Sequence, residues 1–492
     1  MARPGDSVRF VHPSPNGIPH RDPRAVASQG RRPGDVRRGE FGEAVRLSFV
    51  EFLTGALLCA GAVLVVGGAV YVFDRTTPAV LDPLHRVLGG FFGTADAVSQ
   101  LLQTIASTVI TVASITFSLL LVAIQQSASS FTAQAFDQFL RRRLNQFYMG
   151  FFVGLGAYSL LQASTVHDKF VPVYGSTLAV LLSVVAVGML LLLVYTSINQ
   201  MRPVVIVEAI HDHLVEARGR LLRDVVCRTR RMPQLESGAC TPVFSATTGF
   251  VVRIDLDRIQ KQIDQVHGDC EVVLDVSIGD FVAYGDRIAH INTDGADAER
   301  VARAVERGMH RERQRNIDSV DSAYGIEQLE TVGWTSISGA KHNPRAARIV
   351  VAQMRDVLAR FAVEGSDTAS APDTAIVYRD NVPEVLLSSL ESLAVITADS
   401  QQHQVAADIL DAFAGLLEVL PNTYRQRAMQ VLLRTLPALA SHPPTLLLES
   451  ALDSLVEALE CAGEDEAASV VSRGLENLRK RIGAVDVEYT PR

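Results

Sequence analysis

The sequence has no pair of cysteines at the spacing of a redox or zinc motif. Its five cysteines, Cys59, Cys227, Cys240, Cys270 and Cys461, are scattered and odd in number, which excludes a disulfide scaffold. No G-x-x-x-x-G-K-[ST], G-x-S-x-G or Rossmann glycine run occurs, and neither H-E-x-x-H nor an EF-hand spacing is present. His211 and His213 are two apart and so fall on different faces of a helix, where they make no metal pair. These absences predict no catalytic residue, no cofactor and no metal site, in a protein that is not an enzyme. A net charge of −8 lacks the basic field that nucleic acid requires, so no nucleic-acid partner is expected.

Charge is also missing where its absence is most informative. Hydrophobic residues make up 48% of the chain and charged ones only 20%, and the apolar excess is concentrated N-terminally, in long uncharged runs. A bilayer core of ~30 Å needs ~20 apolar helical residues to cross it. Phe52 to Phe73, Leu101 to Ile124, Phe147 to Val166 and Val173 to Thr196 each meet that length and predict four spans. None carries a charge at mid-depth, which argues against a proton pump or an ion-coupled carrier. Arginines cluster before the first span (Arg31, Arg32, Arg37, Arg38, Arg46), before the third (Arg141, Arg142, Arg143) and after the fourth (Arg202, Arg218, Arg220). By the positive-inside rule both termini are expected in the cytoplasm, with the chain multi-pass in the cell membrane. The Arg141–Arg143 triplet is read as a topology signal beside lipid headgroups.

The whole is expected to be an α-helical membrane protein of four transmembrane helices. A cytoplasmic α+β region should follow, containing a small barrel-sandwich-like β unit and a C-terminal α-helical domain. Residues 1–45 are rich in Pro, Gly and Arg and are read as a disordered basic tail. The transmembrane domain covers 46–202, and apolar residues at helical spacing from Val204 to Val225 predict an amphipathic connector within 203–240. Residues 241–295 hold short β-like runs broken by Gly-Asp turns at Gly279-Asp280 and Gly285-Asp286. Residues 296–365 are read as helical, with His310 to Arg315 as a solvated basic helix face, and 366–382 as a linker. Residues 383–492 give short amphipathic helices, without a sequence repeat, punctuated at Pro421, Pro437, Pro443-Pro444 and Gly463.

The second span is the element most suggestive of function. From Ala97 to Phe136 there is no charged residue, a length of ~60 Å if helical throughout, so the segment must continue past the bilayer or bend. Around its axis Thr104, Ser107, Thr108, Thr111, Ser114, Ser118 and Gln125 share an arc of ~120° with Ile115 and Val122. Such a stripe can line a water-filled path, the two apolar positions forming a constriction that gates by dewetting. Equally, small and hydroxylated residues can serve helix packing, with hydroxyls bonded inside their own helix. In the third span Gly150 and Gly154 make a G-x-x-x-G that predicts close helix contact. Two functions stay open: an oligomeric channel or transport-class protein with a cytoplasmic gating or sensing domain, or a membrane scaffold that recruits a cytoplasmic protein partner. In both, the partners expected are the lipid bilayer and further copies of the chain.

The stretch from Ser245 to Ile291, with Val276-Ser277-Ile278-Gly279-Asp280 and Tyr284-Gly285-Asp286 at its turns, resembles the half-barrel of biotinyl/lipoyl-type domains. The carrier function is not expected to follow, because its only lysine, Lys261, lies in a helix-like insert with no methionine beside it. From Leu47 to Phe361 the chain is similar to the bacterial membrane-protein family named domain of unknown function 2254. The residues that carry the resemblance are Ile110 to Gln125 with Ser129-Ser130-Phe131, then Thr248-Gly249-Phe250-Val251, and Asp321-Ser322-Ala323-Tyr324-Gly325-Ile326. One departure is Ser338-Gly339-Ala340-Lys341-His342-Asn343-Pro344, where the family pattern is Ser-Pro-Ala/Gly-x-Asn-Asp-Pro. The resemblance implies a multi-pass membrane protein with a cytoplasmic domain.

Overall fold

The computed structural model describes residues 40–76, 82–92, 94–130, 143–167, 170–200, 202–233, 240–267, 269–293, 296–315, 320–338, 344–366, 374–439, 441–442 and 445–486. The N-terminal tail before residue 40 and the centre of the 338–344 loop lie outside them.

Among the described residues two hydrophobic cores organise the structure, and the first belongs to an N-terminal helical bundle. It comprises α1 (Glu40–Arg75), α2 (Asp82–Phe92), α3 (Ala95–Ser130), α4 (Arg143–Thr165) and α5 (Val173–Gln200). The apolar run of α3 continues into 36 helical residues, ~54 Å, so this helix outruns a bilayer core without breaking. Helix α4 is the centre of the bundle, packed against α1, α3 and α5. Its glycines set how close those neighbours come. A Cβ on Gly150 would sit 2.3 Å from the Ala56 carbonyl oxygen, and one on Gly154 2.9 Å from Ala60 Cα, so α1 and α4 meet backbone to backbone.

Among the described residues three helices are long and apolar enough to cross a membrane: Leu53–Arg75, Ala95–Ser118 and Val173–Thr196. The expectation of four spans is corrected here. The third expected span is the helix α4, but Gln146, Tyr148, Tyr158, Ser159, Gln162 and its glycines lower its average hydropathy. Those polar side chains are buried inside the bundle, where neighbouring helices rather than lipid surround them. The outward faces are different in kind: Leu57, Leu58 and Val65 of α1, and Leu181, Val184, Val187 and Leu191 of α5, are all exposed. A belt of this size on a single chain marks an apolar partner phase or surface.

Pro203 at the first turn starts α6 (Pro203–Asp224) directly after α5, as expected of a residue whose missing N–H costs nothing at that position. A 3-10 turn (Val226–Arg228) leads into the β unit: β1 (Cys240–Phe244), β2 (Gly249–Ile254), α7 (Leu256–Ile263), β3 (Glu271–Leu274), β4 (Phe281–Val282) and β5 (Arg287–Asn292). Helix α8 (Ala296–Gly308) and β6 (Met309–Glu312) follow. With a later strand β7 (Ile376–Val377), the strands form one sheet of order β1-β5-β3-β7 and another of order β4-β2-β6. Gly279 and Gly285 have φ of +101° and +88°, a conformation that favours glycine. In both turns the following aspartate accepts a backbone N–H three residues back, Asp280 from Ser277 at 2.7 Å and Asp286 from Ala283 at 2.8 Å. The two Gly-Asp turns are thus one device used twice.

Two strands come from segments read as helix and linker. Strand β6 pairs antiparallel with β2, and β7 (Ile376–Val377) pairs parallel with β3. Consequently His310 to Arg315 is no solvated helix face: the Arg311 and Arg315 side chains are only 4% and 5% exposed.

The remaining helices are α9 (Ser322–Ser338), α10 (Pro344–Ser366), α11 (Val382–Ser400), α12 (His403–Val419), α13 (Asn422–Leu439), α14 (Leu446–Cys461) and α15 (Asp465–Asp486). Helices α9, α11 and α13 form one row and α10, α12 and α14 the other, each packing on the helix two places along. This is the stacking of a helical-repeat array achieved without a repeated sequence. Its core is continuous with that of α6 and the β unit.

Candidate functional site

Helix α3 has two unlike faces. Val98, Leu102, Ile105, Ala106 and Val109 recur at spacings of three and four and are buried in the bundle. Gly156 of α4 helps seat this face, since a Cβ there would come 3.1 Å from Ile110 Cγ1. The opposite face carries Thr104, Ser107, Thr108, Thr111, Ser114, Ile115, Ser118 and Val122, and every one is exposed. Ile115 and Val122 are each 56% exposed. Thus the residues singled out as a stripe lie on one face of one helix, but that face points away from the bundle. A path inside a single chain is therefore not what they line.

The hydroxyls on this face are partly satisfied within the helix. Thr104 donates to the Gln100 carbonyl at 2.7 Å, Ser107 to Thr104 at 3.0 Å, Thr111 to Ser107 at 2.7 Å, Ser114 to Ile110 at 3.0 Å and Ser118 to Ser114 at 3.0 Å. Each hydroxyl oxygen keeps lone pairs to offer outward. The Gln125 side chain, Arg141, Arg142 and the Arg143 side chain lie outside the described residues.

One end of the bundle is closed by a polar knot. Asp74, at the end of α1, accepts from the Tyr174 and Gly175 backbone N–H groups at 3.0 and 2.8 Å, capping the start of α5. Tyr158 of α4 donates to the Gly175 carbonyl at 2.8 Å and accepts from Gln162 at 3.2 Å. The Arg75 guanidinium lies over the rings of Tyr71 and Phe170. The ends of α1 and α4 and the start of α5 are locked together there.

The other end leads through α6 into a junction built from buried charges. Arg218 of α6 is 1% exposed and donates to both carboxylate oxygens of Asp380, at 3.0 and 2.7 Å, with its guanidinium 4.8 Å above the Phe361 ring. Nearby, Arg315 donates to Asp321 at 2.5 and 2.9 Å and to Glu327 at 2.6 Å, and lies 4.8 Å from the Tyr324 ring centroid. Asp280 of the β unit accepts from the Asn381 side chain at 3.2 Å, and Ser277 donates to the Arg379 carbonyl at 2.8 Å. Burial pushes the Asp280 carboxyl above its ordinary range, an effect that the Ser277 and Asn381 hydrogen bonds and the Arg315 charge partly oppose. Burial likewise pushes the Tyr324 phenol up to about 12. Arg218 and Arg315 are both ion-paired, and Asp280 is held by hydrogen bonds, so the junction ties together the β unit, the helical array and the connector from the bundle. Among the described residues no cluster of three or more His, Cys, Asp or Glu side chains could hold a metal ion.

A family model described as a predicted membrane protein, domain of unknown function 2254, matches residues 51–420. The chain belongs to that family. Two relatives are the uncharacterized protein Rv1290c of Mycobacterium tuberculosis and the uncharacterized protein Mb1321c of Mycobacterium bovis. Each is 23% identical over 311 residues, 60% of this chain and 57% of the relative, so the chain spans little more than half the length of the curated relatives it matches. No solved structure matches the chain.

The stretches that carried the resemblance to the domain of unknown function 2254 family have physical roles in this fold. Asp321 holds Arg315, and Tyr324 receives its guanidinium. Gly325 lets α6 approach α9, because a Cβ there would fall 2.6 Å from Leu214 Cδ1. Gly249 opens β2 where a Cβ would fall 2.8 Å from the Glu312 carbonyl of β6. The buried arginines Arg218, Arg311 and Arg315 escaped the sequence reading.

Proposed function

We propose that the protein is a transport-class membrane protein in which α3 helices from several copies surround a path. The observation that carries this reading is the exposed hydroxyl face of α3 on a helix long and apolar enough to span a bilayer. Lipid tails offer nothing to a row of hydroxyl lone pairs, whereas the α3 faces of neighbouring copies would enclose water between them. In that assembly Ile115 and Val122 form the dry constriction. The β unit and helical array act as gate or sensor, linked to the bundle through α5, α6 and the Arg218–Asp380 pair. In this reading the bundle lies in the cell membrane with α4 crossing inside it, shielded by α1, α3 and α5, which puts the Arg202 end of α5 and both termini on the cytoplasmic side, as the arginine bias favours.

A second reading rests on the intrahelical bonds of those same hydroxyls. Bonded to their own carbonyls, they can face lipid or a packed partner without water, and the protein is then a scaffold whose cytoplasmic helices recruit another protein. Replacing Val122 separates the two. If α3 lines a path, Val122→Ser wets the constriction and raises leak from proteoliposomes, and Val122→Leu lowers it. Background leak from both variants, with assembly intact, favours the scaffold.

A further inference from the structure

A groove of about 450 Å³ lies on the even row of the helical array, between α10 and α12. Its lining includes Arg345, Arg348 and Arg355 from α10, facing Asp408 and Asp411 from α12. On α10 the three arginines fall within an arc of ~80°, so one helix face presents three guanidinium groups over ~15 Å. Arg348 is already engaged, donating to both oxygens of Asp408 at 2.5 and 3.2 Å. Arg355 is not: among the described residues its guanidinium makes no hydrogen bond and no ion pair. It lies across α12 at Gly415, where a Cβ would come 2.1 Å from Nη2. Glycine inside an exposed helix costs ~1 kcal/mol relative to alanine, and here the missing side chain is what makes room for the guanidinium. Ile349, Val351 and Ala412 complete an apolar floor. Burial and the neighbouring Asp408 raise the Asp411 carboxyl above its ordinary value, and the Arg355 charge opposes that rise.

We propose that this groove binds a small multivalent anion through phosphoryl or carboxyl oxygens, with Arg355 and Arg345 as its principal donors and Arg348 held ready by Asp408. Planar guanidinium groups match such oxygens in paired hydrogen bonds, and the volume suits a metabolite-sized molecule. The site stands apart from the α3 face, and its occupancy does not depend on whether anything is transported.

The test is equilibrium binding to the full chain purified in detergent, by titration calorimetry with two probes, inorganic pyrophosphate and citrate. Saturable binding of one molecule per chain is expected for at least one probe, and the preferred probe tells phosphoryl from carboxyl chemistry. Arg355→Gln should weaken it about tenfold, the usual effect of losing one charge-assisted contact. Gly415→Ala keeps every charge and favours the helix, yet should weaken binding comparably by displacing the Arg355 guanidinium. Arg427→Gln on α13 is the charge control and should change nothing. No saturable binding of either probe, or binding left intact by both Arg355→Gln and Gly415→Ala, would overturn the proposal.

Discussion

Replacing Arg218 with methionine should loosen the joint between the connector helix and the helical array. The side chain is 1% exposed, gives two hydrogen bonds to Asp380 and covers the Phe361 ring. Its loss leaves the Asp380 carboxylate, 16% exposed, with the Val382 backbone N–H at 3.3 Å as its remaining hydrogen bond among the described residues. Removing one member of a buried pair costs about 3–5 kcal/mol, and the lower end applies because Asp380 keeps some access to water. A molecule with two cores need not unfold in one step, so local opening is the better readout. Amide hydrogen exchange along α6 and the first turns of α11 should quicken roughly a hundredfold, the equivalent of about 3 kcal/mol. Arg218→Met combined with Asp380→Leu removes both charges and should restore most of the protection, since an apolar pair can replace a buried ion pair at little cost. Unchanged exchange in Arg218→Met, or a double variant less protected than either single one, would refute this account of the joint.

Gly150→Ala should disrupt the bundle by about 1–3 kcal/mol, because the new Cβ meets the Ala56 carbonyl, whereas Gly68→Ala, with open space around it, should be neutral or slightly stabilising; thermal unfolding of the two in detergent checks this. Gly325→Ala should loosen α6 against α9 by a similar amount, read as increased proteolysis of the connector. The raised Asp280 carboxyl binds its proton more tightly folded than unfolded, so its contribution is complete below the ordinary carboxylate value and is lost as pH climbs through the raised one. The melting temperature of the wild type relative to Asp280→Asn should accordingly fall as pH rises above about 4, and a flat difference would count against the burial of that charge.

Much of the fold is written locally. Uncharged runs of helical length mark α1, α3 and α5, and the two Gly-Asp turns announce themselves by residue type, because only glycine adopts their φ without strain. What could not be read locally depends on partners far along the chain. Helix α4 looks like another lipid-facing span until its polar residues are seen to be enclosed by three neighbours. Met309–Glu312 continues a helical pattern and becomes a strand because β2 offers it an edge. The arginine-rich run ending at Arg315 reads as solvated surface, since its partners Asp321 and Glu327 lie beyond the run. Arg218 and Asp380 are 162 positions apart, a separation no periodicity reveals. On α3 the stripe itself was legible, but whether it faced inward or outward was decided by the packing of α4 on the opposite side.

Cysteine-accessibility scanning along α3 in native membranes, in a background freed of the five natural cysteines, tests the central claim most directly. If α3 helices surround a water path, cysteines at Thr104, Ser107, Thr108, Thr111, Ser114 and Ser118 should react with a membrane-impermeant thiol reagent. Those at Val98, Leu102, Ile105 and Val109, packed in the bundle core, should stay protected. Uniform protection of the hydroxyl face in the assembled protein would contradict the claim.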